Sequence, residues 1–245
     1  MRISRIYTED DLTEDCSITL DKATSSYLLK VLRLNEGTEV HLFNGNPVNG
    51  NYGYYKATIN TTGKQAELTC NQFVINSNQS PLKITLVQGI SKGDHMDTTI
   101  QKAVELGVAE IIPVICERTV VNLKADRLEK KMRHWNGIVK SACEQSGRNQ
   151  LLTIHTPIKY SQIQLSDMQT GFILQPDSEH SLLDSTVKES VAIIIGPEGG
   201  FTDEEMKQAS DKGFKAVRLG PRILRTETAA IAAVSIIQSA WGDLS

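Results

Sequence analysis

"AIIIGPEGGFTDEE", Ala192 to Glu205, is the stretch on which the reading of this chain turns. Its opening residues are apolar without alternation, as in a strand buried on both faces of a parallel sheet. The run ends in Gly196-Pro197-Glu198-Gly199-Gly200. Thr202 and Glu205 then stand in capping-box spacing and open a helix that Gly213 closes. Strand, glycine-rich turn and capped helix together form one βα unit. In open α/β sheets, ligands bind outside the carboxyl ends of the strands, where this loop lies. Three glycines let its backbone take unusual dihedrals and approach a ligand closely. No lysine follows to neutralise phosphate, so a nucleoside triphosphate fits poorly. The residues alone leave two readings open, a ligand loop and a tight structural turn.

Working outward, further strand-length apolar runs alternate with helix-like segments: "KITLVQGI" (83–90), "EIIPVIC" (110–116), "GFILQ" (171–175) and "KAVRLG" (215–220). Between the first two, Met96, Ile100, Ala103 and Val104 recur at helical spacing, and Gly107 marks a stop. This alternation predicts an α/β domain over residues 82–245. Residues 1–74 read differently. "TEVHLFNG" and the runs around "NYGYYKATIN" and "QAELTCNQF" are short, rich in β-branched and aromatic residues and punctuated by turn formers, as in the hairpins of a small barrel. "INSNQSP", residues 75–81, is polar and turn-prone, and reads as the linker.

A second stretch carries chemistry: "LGPRILRTETAAIAAVSIIQ", Leu219 to Gln238. A strand ends at Leu219-Gly220, Pro221 sets a turn, and Thr226 or Thr228 is placed to cap a helix with Glu227 in its first turn. That helix is apolar on nearly all faces, which implies burial in the protein or against a second subunit. Burying an unpaired charge is costly. Arg225 is therefore expected to meet Glu198, Glu227 or a ligand, unless it lies on the surface beside the turn.

Composition narrows the classes. With 245 residues, 40% hydrophobic and 22% charged, the chain is of ordinary globular type. The uncharged stretch Thr228 to Gly242 is too short and too polar to span a bilayer. "MRISRIYTEDDL" turns acidic where a signal peptide would be apolar, so a cytoplasmic location is the expectation. Cys16, Cys70, Cys116 and Cys143 show no CxxC spacing, which argues for free thiols and no metal. His41, His95, His134, His155 and His180 show no ligand spacing and read as surface or satisfied core residues. Nucleotide-triphosphate, dinucleotide, zincin and serine-hydrolase signatures are absent. Although the net charge is -3, residues 118–148 hold eight Lys/Arg against three acids. Such a basic island suits a polyanion, or a solvated helix face.

"IGPEGGFTDEE" followed by "RLGPRILRTETA" resembles the SPOUT-class RNA methyltransferases, and specifically the RsmE family, which methylates uridine N3 in 16S ribosomal RNA. "QKAVELGVAEIIPV", "ERTVV" and "KSACEQSGRN" extend the likeness. "LLKVLRLNEGTEVHLFNG" is similar to the PUA-like β-barrel of that family. Members often carry His before the VLR stretch, where this chain has Ser26-Tyr27. The resemblance implies a SPOUT-type trefoil-knotted parallel-sheet domain behind a PUA-like RNA-binding barrel, working as a homodimer with active sites at the interface. It implies S-adenosyl-L-methionine held by Leu174, Gly196, Pro197, Glu198, Gly199, Gly200, Leu219, Gly220, Ile223 and Leu224. The expected partner is 16S ribosomal RNA within the small ribosomal subunit, with neither membrane nor metal involved.

For catalysis, Arg225 is the candidate to stabilise charge on the uracil oxygens. A guanidinium is a poor proton acceptor, so Glu198 or Glu227 is the candidate base, or else holds Arg225 in place. Arg33, Arg118, Lys124, Arg127, Arg133 and Arg148 are the candidate RNA phosphate contacts. Rival readings are ribose 2′-O-methylation by the same class of enzyme, a non-catalytic ribosome-assembly protein, and an α/β enzyme acting on a small molecule. The last leaves the barrel and the basic island unexplained.

Overall fold

The computed structural model describes residues 3–61, 63, 65–120, 125–166, 169–187 and 189–244. They fall into two compact units. One comprises residues 1–79 with 143–151, and the other 80–142 with 152–245.

The first unit is built on β1 (Arg5–Tyr7), β2 (Ser17–Thr19), β3 (Glu39–Phe43), β4 (Gly53–Thr61) and β5 (Glu67–Ile75). They form one sheet in the order β1-β3-β4-β5-β2, with β1 parallel to β3 and the other pairs antiparallel. Among the described residues the end strands β1 and β2 do not pair with each other. Alternation along β4 turns Tyr55, Ala57 and Ile59 inward, onto Ile6, Leu28, Val40, Leu42 and Leu68. The pairing of β4 with β5 slips by one residue near Lys56, a bulge of the kind that bends a sheet. Helix α1 (Lys22–Ser26) continues into a π turn over Tyr27–Val31. Asp21 caps it by accepting the Ala23 and Thr24 N–H groups, and the Thr24 hydrogen bonds hold that carboxyl below its ordinary range. Segment 143–151 belongs with this sheet because its polar groups meet partners there. Glu144 accepts the Tyr7 N–H at 2.9 Å, and Asn149 donates to the Asn76 carbonyl at 2.6 Å. Composition gives no hint that residues so far along the chain return to the first unit.

The second unit begins at β6 (Lys83–Gly89), followed by α2 (His95–Glu105), β7 (Glu110–Ile115) and α3 (Ala125–Ser146), whose last turn counts with the first unit. Then come β8 (Thr153–Ile154), β9 (Ile158–Lys159), β10 (Gln169–Leu174), β11 (Ser190–Ile195), α4 (Asp203–Asp211), β12 (Lys215–Val217) and α5 (Thr226–Trp241). The sheet runs β12-β10-β11-β6-β7-β8, with β9 also on β7, and every pairing is parallel. All six residues of the central strand β11 are buried, as the unalternating run requires. Phe172, Ile173, Ile193, Ile194 and Leu86 are essentially inaccessible, each worth about 1.5–3 kcal/mol of burial. The Thr202–Glu205 capping box on α4 forms as its spacing predicts. The cap of α5 does not follow the expectation. Its N-cap is Arg225, without a side-chain cap bond, and the Thr226 hydroxyl is used elsewhere. The apolar helix α5 packs on α2, β6 and β11. Buried Gln238 pins its far end by donating to the Leu106 carbonyl at 2.7 Å and accepting from the Ser80 hydroxyl at 2.7 Å.

No described helix is long and apolar enough to cross a membrane. The four cysteines are free, and burial pushes the Cys70 and Cys116 thiols up to about 12. Among the described residues no group of three His, Cys, Asp or Glu is arranged to hold a metal.

Candidate active site

Because β10 lies between β11 and β12, the carboxyl ends of three neighbouring parallel strands open onto one place. Leu174–Pro176, Ile195–Glu198 with Gly200 and Phe201, and Val217–Gly220 together edge a cavity of about 520 Å³ there, within the range of small-molecule sites. The stretch 222–227 and His95 complete its wall.

Two features seat the glycine-rich loop. Gly89, at the end of β6, lies so close that a Cβ there would stand 2.5 Å from the Pro197 nitrogen. Only hydrogen at that position admits the loop. Gly200 takes φ +66°, a left-handed conformation natural to glycine, and returns its N–H to the Pro197 carbonyl at 2.9 Å. Neighbouring segments brace the outside. Glu198 accepts the Lys92 N–H at 2.9 Å, and the Arg118 guanidinium donates to the Gly199 carbonyl at 3.0 Å. The base of the loop rests on Glu205, which accepts the Thr202 and Glu117 N–H groups.

The second wall is tied to the first by the Thr226 hydroxyl. Thr226 donates to the Gly196 carbonyl at 2.7 Å and accepts from the Gln88 amide at 2.9 Å. Leu174, Ile195, Phe201, Val217, Leu219 and Leu224 give the cavity an apolar interior, and the charged side chains collect on the 218–227 side and at Glu198. Glu227 is not paired with Arg225. Its Oε1 lies 3.1 Å from Nδ1 of His95, and its Oε2 is buried without a hydrogen-bond partner among the described residues. Arg225 is exposed, and among the described residues it has no ion-pair partner, neither Glu198 nor Glu227.

The structure therefore gathers Leu174, Gly196, Pro197, Glu198, Gly200, Leu219, Gly220, Ile223, Leu224, Arg225 and Glu227 around one cavity. Gly199 does not line it and packs against Arg118 instead. Ile223 lines it while remaining 86% exposed. Three residues were not legible as site residues. His95 is a lone histidine in the sequence, Gln88 reads as part of a strand, and Thr226 reads as a cap. Only the fold brings the start of α2 against the start of α5.

The candidate phosphate contacts separate. Arg33, Arg127 and Arg133 are exposed, with Arg133 3.6 Å from Glu129. Arg118 is exposed but engaged with Gly199. Lys124 lies outside the described residues. Arg148 requires a correction. It is only 3% exposed and donates to Gln79 at 3.0 Å, so its guanidinium serves the interior of the first unit rather than a phosphate surface.

A family model for the RNA methyltransferase domain matches residues 78–238. The whole chain is 36% identical to the ribosomal RNA small subunit methyltransferase E of Buchnera aphidicola, over 99% of that protein. The ribosomal RNA small subunit methyltransferase E of Neisseria gonorrhoeae, solved bound to S-adenosyl methionine, superposes with a TM-score of 0.90 at 38% identity, covering 100% of both chains. A Legionella pneumophila protein solved in complex with the cofactor SAM gives a TM-score of 0.93 at 39% identity, again over 100% of both chains. With its two motif loops closed on one cavity, the chain belongs to the ribosomal RNA small subunit methyltransferase E (RsmE) family of RNA methyltransferases.

Proposed function

We propose that this protein transfers the methyl group of S-adenosyl-L-methionine to N3 of a uridine in 16S ribosomal RNA. The observation that carries the reading is the tie between the two motif loops, the Thr226 hydroxyl on the Gly196 carbonyl, which makes one ligand cavity of both.

The cavity fits the cofactor in size and chemistry. Its apolar interior suits an adenine ring, its glycine-bearing backbone supplies close polar edges, and among the described residues no lysine lines it. Glu198, exposed at the cavity edge, offers negative charge for a sulfonium or an amino group. Leu174, Gly196, Pro197, Glu198, Gly200, Leu219, Gly220, Ile223 and Leu224 hold the cofactor, and Gly199 acts through Arg118. When bound, the cofactor supplies an electrophilic methyl group.

The protein's own task is to present uracil with its N3 poised. Uracil N3 is a weak nucleophile while it carries its proton, and the anion left by its loss spreads onto both neighbouring carbonyl oxygens. Arg225 is unpaired and exposed on the cavity rim, and it is permanently charged. It stabilises that oxygen charge and orients the ring, a contribution of about 10²- to 10³-fold in comparable sites. Positioning by the rigid walls adds the entropic advantage of a preorganised encounter.

The reading extends to the whole molecule. The first unit serves as a PUA-like RNA-binding barrel, with a boundary at residues 75–81. The second is a SPOUT domain with a trefoil knot, a reading supported by the return of segment 219–226 onto the 196–200 loop. The chain works as a cytoplasmic homodimer on RNA within the small ribosomal subunit. The half-covered apolar positions of α5, Ile231, Ala232 and Ile236, support the dimer. Arg33, Arg127 and Arg133 supply phosphate contacts. The test is transfer of labelled methyl from the cofactor to naked 16S RNA, free small subunits and assembled ribosomes. No transfer to any of them sinks the proposal.

A further inference from the structure

We propose that His95, seated on Glu227, is the proton acceptor that frees uracil N3, an inference that rests on the uridine-N3 reading above. The imidazole Nδ1 lies 3.1 Å from Glu227 Oε1. A carboxylate only accepts hydrogen bonds, so in the neutral ring Nδ1 carries the hydrogen and Nε2 keeps its lone pair. His95 lines the cavity, its side chain is 39% exposed, and among the described residues Nε2 has no hydrogen-bond partner. Glu227 cannot reach a substrate in the same way. Its side chain is 15% exposed, one oxygen is engaged by His95, and the other is buried with no hydrogen-bond partner among the described residues. The carboxylate is placed to act through the ring, not beside it.

This arrangement divides the labour at the rim. Arg225 brings a fixed positive charge, and the His95–Glu227 pair brings an acceptor whose acquired charge is balanced at once. In the step, the N3–H bond breaks, its electron pair stays on N3 and the adjoining carbonyl groups, and the proton moves to Nε2. The imidazolium formed keeps its Nδ1–H on Glu227 and later returns the proton to solvent. Such a base contributes about 10²- to 10⁴-fold. The charged groups that share the cavity lining with the pair are Arg225 and Arg222 before α5, Arg218 after β12 and Glu198 on the glycine-rich loop, and Asp94 and Asp97 stand near His95 in sequence. Asp97 is already engaged by His134 at 2.6 Å. Glu227 is thus a positioning residue and His95 the catalytic one.

The test combines a measurement without cofactor and one with it. In mildly alkaline buffer, nitrogen NMR of the labelled imidazole in the cofactor-free protein is expected to show Nδ1 protonated and Nε2 bare, with Glu227→Gln erasing that preference. A proton resident on Nε2 overturns the proposal. In single-turnover assays on small subunits, His95→Ala is expected to lose about 10²- to 10⁴-fold in rate. It should bind S-adenosylhomocysteine as wild type does and recover activity with added imidazole. A rate within about threefold of wild type, or a loss that imidazole fails to rescue in both His95→Ala and His95→Gly, overturns it. The wild-type product separates the two claims. N3-methyluridine from wild type with an unimpaired His95→Ala removes the base alone. A wild type that makes no N3-methyluridine removes the function reading, and the proton acceptor with it.

Discussion

The Thr226 hydroxyl donates to the carbonyl oxygen of Gly196 across 2.7 Å, joining the start of α5 to the end of β11. Thr226 is 6% exposed and Gly196 half-buried, and Gln88 completes the arrangement from β6. Thr226→Val keeps the shape and leaves that carbonyl unsatisfied. The expected cost is about 1–3 kcal/mol of stability, with weaker cofactor binding. Chemical denaturation and calorimetric titration measure the two effects.

Arg225 is exposed and has no ion-pair partner among the described residues, so its removal should not disturb the fold. Arg225→Ala is expected to lower turnover about 10²- to 10³-fold while cofactor affinity stays near that of wild type. Activity close to wild type would remove Arg225 from the mechanism.

A Cβ at Gly89 would stand 2.5 Å from backbone nitrogen and 2.6 Å from Cδ of Pro197. Backbone cannot yield as a flexible side chain can. Gly89→Ala is expected to displace the 196–200 loop, with a loss of about 1–3 kcal/mol and a large fall in cofactor affinity. A thermal melt with and without cofactor reports both.

Burial alone would raise the Glu110 carboxyl. Its hydrogen bonds with His155 at 2.8 Å, Thr85 at 2.8 Å and Lys83 at 3.0 Å outweigh that and hold it below its ordinary value near 4.5. For an acid with a depressed folded-state value, the stabilisation is fully present above the unfolded-state value. It is lost as pH falls through the folded one. The stability difference between wild type and Glu110→Gln should therefore be constant from neutral pH down to about 5 and shrink in more acid solution. Urea midpoints across that range check the sign.

The basic residues divide into two kinds. Reversing Arg127 and Arg133 to Glu is expected to weaken RNA binding broadly and flatten its salt dependence by about two units of slope. Arg148→Ala should instead destabilise the first unit, because the guanidinium is buried against Gln79. Salt-dependent binding curves and melts tell the two apart.

The parallel sheet was legible because β11, β6 and β10 are buried on both faces and carry no alternation, and because Thr202 and Glu205 announce the helix that follows. The two loops that line the cavity were legible as glycine at strand ends. What the sequence hid was partnership. Glu227 and His95 are far apart in sequence and meet only because α2 and α5 pack side by side. The same applies to Arg148. Spacing placed it in a basic island, whereas segment 143–151 folds back onto the first unit and buries it. Burial is a property of the assembled core, and local charge counts do not carry it.

The most direct measurement of the central claim is nucleoside analysis of small-subunit RNA after incubation with this protein and isotopically labelled cofactor. The expected result is a single labelled nucleoside, N3-methyluridine, formed about 10²- to 10³-fold more slowly with Arg225→Ala. Label on a ribose 2′-oxygen, or no label in RNA at all, would contradict it.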